Sequence, residues 1–163
     1  MRHAESDYNY IVDSDFDRPI KKSGLKMTKI CAEHFKKKNI RYDLLFCSPA
    51  LRTKQTSSYF LTAMDLKTIK VVYDYNLYEG SSENFLLRVS NLKKYKDILV
   101  VTHEPQILFF KDFFLSKTDC WPNIKDLEIA TSSVLSINFD INMWNEINES
   151  NAQSYKFLNP ILL

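Results

Sequence analysis

Three short segments bring chemically capable side chains together in one chain. Arg2-His3 stands at the start, Ser48-Pro49-Ala50-Leu51-Arg52 follows an apolar run, and His103-Glu104-Pro105 follows another. A guanidinium in the first turn of a helix, where Arg52 falls, adds to the positive end of the dipole, so its placement points to an anion nearby. Taken singly, Arg52 also reads as a solvated surface arginine, His103 as a structural histidine, and Arg2-His3 as little at all. At one edge of a parallel sheet, however, they would gather two guanidiniums and two imidazoles into a single pocket. Such a set repels itself without an anion. It suits a phosphoryl group, whose oxygens accept the forked donors of arginine while an imidazole is free to attack phosphorus.

The elements needed to build that edge are visible in the hydrophobic pattern. Residues 43–47 (DLLFC), 69–73 (IKVVY), 97–102 (DILVVT) and 133–139 (SVLSINF) are short, apolar and rich in β-branched or aromatic side chains, as buried strands are. Helical spacing runs from Ser23 through Met27, Ile30, Cys31, His34 and Phe35, closing on Lys36, Lys37 and Lys38. A second helix is predicted from Pro49, with Ser48 as its cap, to Met64; others over 83–94 and 105–116. Alternating strands and helices predict an α/β three-layer sandwich with a mostly parallel central sheet flanked by helices. Ligands in such folds collect just beyond the strand ends, which is where Arg52 and His103 fall.

Composition narrows the chemistry. The 163 residues suit one domain spanning 1–163, and 22 basic against 20 acidic residues leave no excess to attract nucleic acid. Only two glycines, Gly24 and Gly80, are present, so glycine-rich phosphate loops are excluded and any phosphate must be held by side chains. Three cysteines, Cys31, Cys47 and Cys120, without CxxC spacing argue against disulfides or structural zinc and for a reducing, cytoplasmic setting. No apolar run suits a membrane span. Cysteine-dependent phosphate chemistry at Cys47 and Arg52 is disfavoured by a gap of four residues, one of them Pro49, with no glycine. Three dispersed histidines give no recognisable metal motif. His34 reads as a packed histidine and Lys36 to Lys38 as a solvated helix end. Tyr8, Tyr10, Trp121 and Trp144 are open to either core or pocket roles. The tail from Ile141 to Leu163 is uninformative beyond an edge strand ending near Phe157 to Pro160.

Arg2-His3-Ala4-Glu5, the nine residues from Ser48 to Thr56 and Val101-Thr102-His103-Glu104-Pro105 resemble, in order and spacing, the motifs of the histidine phosphatase (phosphoglycerate mutase-like) superfamily. The short length and Asp17-Arg18-Pro19-Ile20 ahead of Gly24 are most similar to its small SixA-type phosphohistidine phosphatases. The resemblance implies a metal-independent, cofactor-free hydrolase in which His3, neutral and held through its other ring nitrogen by a backbone carbonyl, attacks phosphorus. Arg2, Arg52 and His103, the last as a cation beside the phosphate, would bind the oxygens. Glu79 in Leu77-Tyr78-Glu79-Gly80 matches the proton donor of larger relatives, and equally reads as a surface glutamate beside a turn. Asp17 and Arg18 are either supports of the phosphate site or a loop salt bridge. The implied partner is a protein carrying phosphohistidine or a small phosphorylated substrate, with no nucleic acid and no membrane. A non-catalytic phosphoryl-binding module is the alternative from another class. The family places an apolar strand ahead of Arg-His where this chain has only Met1. The first strand is therefore expected to be missing, and the 163-residue form to be poorly stable or weakly active, with recovery on upstream extension.

Overall fold

The structure, a computed structural model, describes residues 1–163. Three parallel strands, β1 (Leu44–Cys47), β2 (Lys70–Tyr73) and β3 (Ile98–Val101), form a sheet in the order β2-β1-β3. The central strand is buried on both faces, as its unbroken apolar run requires. Leu45 and Cys47 point to one side, where α1 (Lys22–Lys37) and α2 (Leu51–Ala63) supply Phe35 and Phe60. With the period of two, Leu44 and Phe46 point to the other, onto Leu77 and onto Phe85 and Val89 of α3 (Ser82–Ser90).

The strand predicted over 133–139 forms as β4 (Val134–Phe139), but it pairs antiparallel with β5 (Ala152–Leu158), outside the parallel sheet. The core beside this pair is built by Phe114 and Leu115 of α4 (Gln106–Leu115), Ile124 of α5 (Trp121–Ile124) and Ala152. The tail thus has a defined place, with β5 as an edge strand.

Residues 1–3 join the two sheets. On one side the Met1 amino group donates to the Val100 carbonyl at 2.8 Å, and the His3 N–H to Thr102 at 2.9 Å. On the other, the Arg2 N–H donates to Ser133 at 3.0 Å, and the Ser132 N–H to His3 at 3.1 Å. Beyond Met1 the outer edges of β3 and β4 are without a strand partner. A groove of about 610 Å³, lined by Ile98, Val100, Leu135, Ile137 and Trp144 among others, lies there.

Two local expectations shift. α2 begins at Leu51, capped by Ala50 without a side-chain bond; the Ser48 hydroxyl, two residues ahead, lies 2.7 Å from the His103 ring and accepts from the Ala50 N–H at 3.5 Å. The buried face of α1 is Gly24, Thr28, Cys31, Ala32 and Phe35, leaving Met27 and Ile30 half-buried. The cause is close packing on Ala4 and Glu5 and on Ser132. The ideal Cβ position at Gly24 lies 2.7 Å from the Glu5 carbonyl, so only glycine fits, and the Thr28 hydroxyl lies 3.2 Å from that of Ser132. No helix is long and apolar enough to cross a membrane.

Candidate active site

The strand-like pairing of residues 1–3 and the ends of β1 and β3 bring His3, Ser48 and His103 to one side of the sheet, and the first turn of α2 adds Arg52. All four are buried. The two imidazole rings lie 5.1 Å apart between centroids.

The hydrogen bonds fix both tautomers. His3 Nδ1 is 2.7 Å from the Ala4 carbonyl, which can only accept, so Nδ1 carries the proton and Nε2 keeps a free lone pair. This is the backbone anchor expected for it. Arg52 Nε lies 3.2 Å from His103 Nδ1, and a guanidinium only donates, so Nδ1 is unprotonated and the proton sits on Nε2, 2.7 Å from the Ser48 hydroxyl. Electrostatics agree. Burial, against the pull of the Ala4 carbonyl and reinforced by Arg52, Arg2 and Arg18, lowers His3 to about 4. Burial, Arg52 and His3 lower His103 to about 3. His103 is therefore neutral in the free protein; the cationic form anticipated from the family requires an anion to offset three guanidiniums.

The backbone around His3 is held from several directions. The Ala4 N–H donates to the Thr56 hydroxyl at 2.9 Å, and that hydroxyl donates to the Arg52 carbonyl at 2.6 Å, tying the N-terminal segment to α2. Gln55 accepts from the Ile20 N–H at 2.9 Å. The Gln-Thr pair of the Ser48–Thr56 motif thus anchors chain segments rather than facing the pocket. Ser132, which receives the His3 carbonyl on its N–H, adopts φ 64°, a left-handed conformation that a non-glycine residue rarely takes.

Each guanidinium already has a carboxylate. Arg2 Nη1 contacts Glu104 at 2.7 Å and donates to the Ile129 carbonyl at 2.8 Å. Arg52 Nη2 meets the Asp15 carboxylate at 2.9 Å, and its Nη1 donates to the Asp15 carbonyl at 2.7 Å. Arg18 meets the other Asp15 oxygen at 2.6 Å and lies 3.7 Å over the centre of the Tyr8 ring. The ion pair is thus with Asp15 and not Asp17, which instead accepts from Ser14. Tyr78 lines the pocket, with its ring edge-on to both His103 and Phe16. Its neighbour Glu79 is exposed, and its carboxylate accepts from the Tyr75 hydroxyl at 3.0 Å. Tyr10 is exposed and Trp144 lines the groove, so neither joins the site.

Asp15, Glu104 and Ser132 escaped the sequence reading. Asp15 had one local signal, its spacing three residues before Arg18. Glu104 is next to His103 in the chain, whereas nothing in the spacing marks Ser132.

No curated protein matches this chain. Among solved structures it is similar to a SixA protein of Agrobacterium tumefaciens assigned as a phosphohistidine phosphatase, with TM-score 0.78, 21% identity and coverage of 98% of this chain and 95% of that one. It is equally similar to the protein histidine phosphatase SixA complexed with tungstate, at TM-score 0.78 and 19% identity, over 99% of this chain and 96% of the other. A SixA protein of Nakamurella multipartitia, also assigned as a phosphohistidine phosphatase, follows at TM-score 0.74 and 22% identity, over 99% and 94% of the two chains. At such identities these likenesses establish the fold. The family model of the histidine phosphatase superfamily (branch 1) matches residues 1–85, just over half of the sequence and including His3 and Arg52, and this chain belongs to that superfamily.

Proposed function

We propose that the protein is a metal-independent phosphatase that carries the phosphoryl group on His3 and takes it from phosphohistidine in a protein substrate. The observation that carries this reading is the His3 ring, neutral and locked by the Ala4 carbonyl so that the lone pair is on Nε2. Nε2 attacks phosphorus in line. The new N–P bond forms as the bond to the substrate nitrogen breaks, and the departing imidazole takes a proton from water. A second water then attacks phosphorus, the bond to Nε2 breaks, and inorganic phosphate leaves with His3 restored. Arg2, Arg52 and His103 hold the equatorial oxygens and offset the charge that gathers on them, a service worth several orders of magnitude in rate.

The proton balance favours phosphohistidine over an ester. Near the pocket, Asp15 and Glu104 are engaged by guanidiniums, Glu5 by Lys21 and Ser23, and Glu79 points to Tyr75. An alkoxide leaving group needs a proton donor, whereas an imidazole leaves with less help. Glu79, the donor implied by the resemblance, has no contact with the four pocket residues.

The test is turnover of a phosphohistidine-bearing protein and of an aryl phosphate, with chelator present, by the wild type and His3→Ala. Loss of both activities in the variant is expected, with the protein substrate preferred. Turnover that survives the substitution rules out the nucleophile. Tight phosphate binding without turnover by the wild type identifies a binding module, and preference for the aryl ester a phosphomonoesterase.

A further inference from the structure

Asp15 lies in the short turn Asp15–Asp17, started by Ser14, whose hydroxyl accepts from the Phe16 N–H. Its side chain is 54% exposed, yet it bridges guanidiniums that are only 7% and 9% exposed, those of Arg52 and Arg18. Two nearly buried cations need a counter-anion, and this carboxylate is the one they have. Arg18 Nε and Nη1 are buried without a partner, so Asp15 satisfies only part of that guanidinium.

Each of the three guanidinium nitrogens of Arg52 already has a partner. Its Nε donates to His103, its Nη1 to the Asp15 carbonyl, and its Nη2 meets the Asp15 carboxylate. Neither bidentate edge of the guanidinium is free, so a phosphoryl group gains a forked contact only when one of these partners lets go. Asp15 is the partner that can leave at least cost, because more than half of its side chain already faces water. A carboxylate that gives one oxygen to each of two guanidiniums also presents what two phosphoryl oxygens would present, negative charge and acceptor lone pairs at the same donors.

We infer that Asp15 is a resident counter-anion that holds the place of the phosphoryl oxygens on Arg52 and Arg18, and that oxyanions bind by displacing it. The inference rests on the phosphoryl reading of the pocket and adds to it an affinity-setting residue and a third guanidinium, Arg18. Displacement moves the turn at residues 15–17, with Phe16 leaving the Tyr78 ring, and frees Arg18 for the incoming anion. The competition lowers affinity for small oxyanions, so a ligand must bring the full charge of a phosphoryl group to enter.

Binding of inorganic phosphate, by calorimetry and by the phosphate-induced rise in Tm, tests this in the wild type, Asp15→Asn and Asp15→Ser. Asp15→Asn keeps the side-chain shape and the backbone carbonyl but removes the charge. It is expected to bind phosphate about tenfold more tightly and to gain more Tm from phosphate than the wild type does. Because the vacated guanidiniums accept any small carboxylate, formate should compete with phosphate in Asp15→Ser and much less in the wild type, which a merely structural role for the turn would not produce. Unchanged or weaker phosphate binding by both variants, folded by near-ultraviolet circular dichroism, overturns the inference. Should neither variant survive without phosphate, refolding in phosphate followed by its removal gives the same readout: reversible loss of structure supports the counter-anion role, and misfolding regardless of phosphate overturns it. Absence of phosphate binding in all three folded proteins, or binding that persists in Arg52→Ala, overturns instead the phosphoryl reading itself.

Discussion

Residues 1–3 separate two regions with opposite character. At the His3 end lies a small pocket in which both imidazoles and all three guanidiniums are engaged by hydrogen bonds or carboxylates of the same chain. At the Met1 end lies the groove of about 610 Å³, lined chiefly by apolar side chains between two unpartnered strand edges. Charge left without a partner is costly enough that the chain brings Asp15 and Glu104 to meet it. Apolar surface costs less per group to leave exposed, and the groove is lined chiefly by it. The buried imidazoles and guanidiniums thus belong to the pocket, and the large apolar surface to the groove.

The largest way to break this contrast is Arg52→Ala. On the proposed mechanism, removing this guanidinium should lower kcat/KM on the order of 10²–10³-fold or more, measured with the phosphohistidine protein, while leaving binding of an apolar dye to the groove unchanged. An equal change in both would show that the two regions are not separable.

Acid stability sharpens the contrast next. In the pocket, His3 and His103 titrate near 6.5 when unfolded and at about 4 and about 3 when folded. Between those values the unfolded chain binds more protons, so stability from the pocket is complete above pH 6.5 and is lost as pH falls through the window. In the groove, burial lowers the Met1 amino group from 8.0 to about 5, so its window runs from pH 8 down to 5. Denaturant titrations across pH should show both slopes, of the order of 1 kcal/mol per pH unit per group. Acetylating the N-terminus should remove the upper one alone.

Smaller again is the gain from filling the groove. Four β-branched residues placed ahead of Met1 would run between β3 and β4, burying side chains worth ~2 kcal/mol each against ~1.5 kcal/mol of ordering. A net gain of ~2 kcal/mol, or about 4–8 °C in Tm, is expected over a Gly/Ser extension of equal length. No difference between the two extensions would show that the groove does not accept a strand. The smallest effect is expected for Glu79→Gln. Its exposed carboxylate meets only Tyr75, so kcat on phosphohistidine should change by less than about twofold; a large loss would restore it as the proton donor.

Much of this was legible in the linear pattern. The four strands fall within a residue or two of their apolar runs, because buried β-branched residues have few other places to go. His3, Arg52 and His103 come together from a strand-like segment, the first turn of α2 and the end of β3, while the Arg2 guanidinium pairs with Glu104 beside His103. The misreadings share a cause. Ser48 looks like a helix cap, but a buried imidazole competes for its hydroxyl. Met27 looks like core, but Gly24 and Thr28 take the inward face because α1 sits flush on Glu5 and against Ser132. β4 looks like a further parallel strand, but its partner is β5, and pairing direction leaves no trace in the apolar pattern of one strand.

Residue type and order alone determined that any phosphate chemistry here must run on side chains. With Gly24 and Gly80 the only glycines, no backbone cradle can form. Only the tertiary structure decided the state of those side chains. The tautomer of His3 depends on the Ala4 carbonyl and that of His103 on Arg52. The anion on Arg52 comes from Asp15, 37 positions earlier in the chain. Protonation and ion pairing are set by distances of about 3 Å and by burial, and these exist only once the chain has folded.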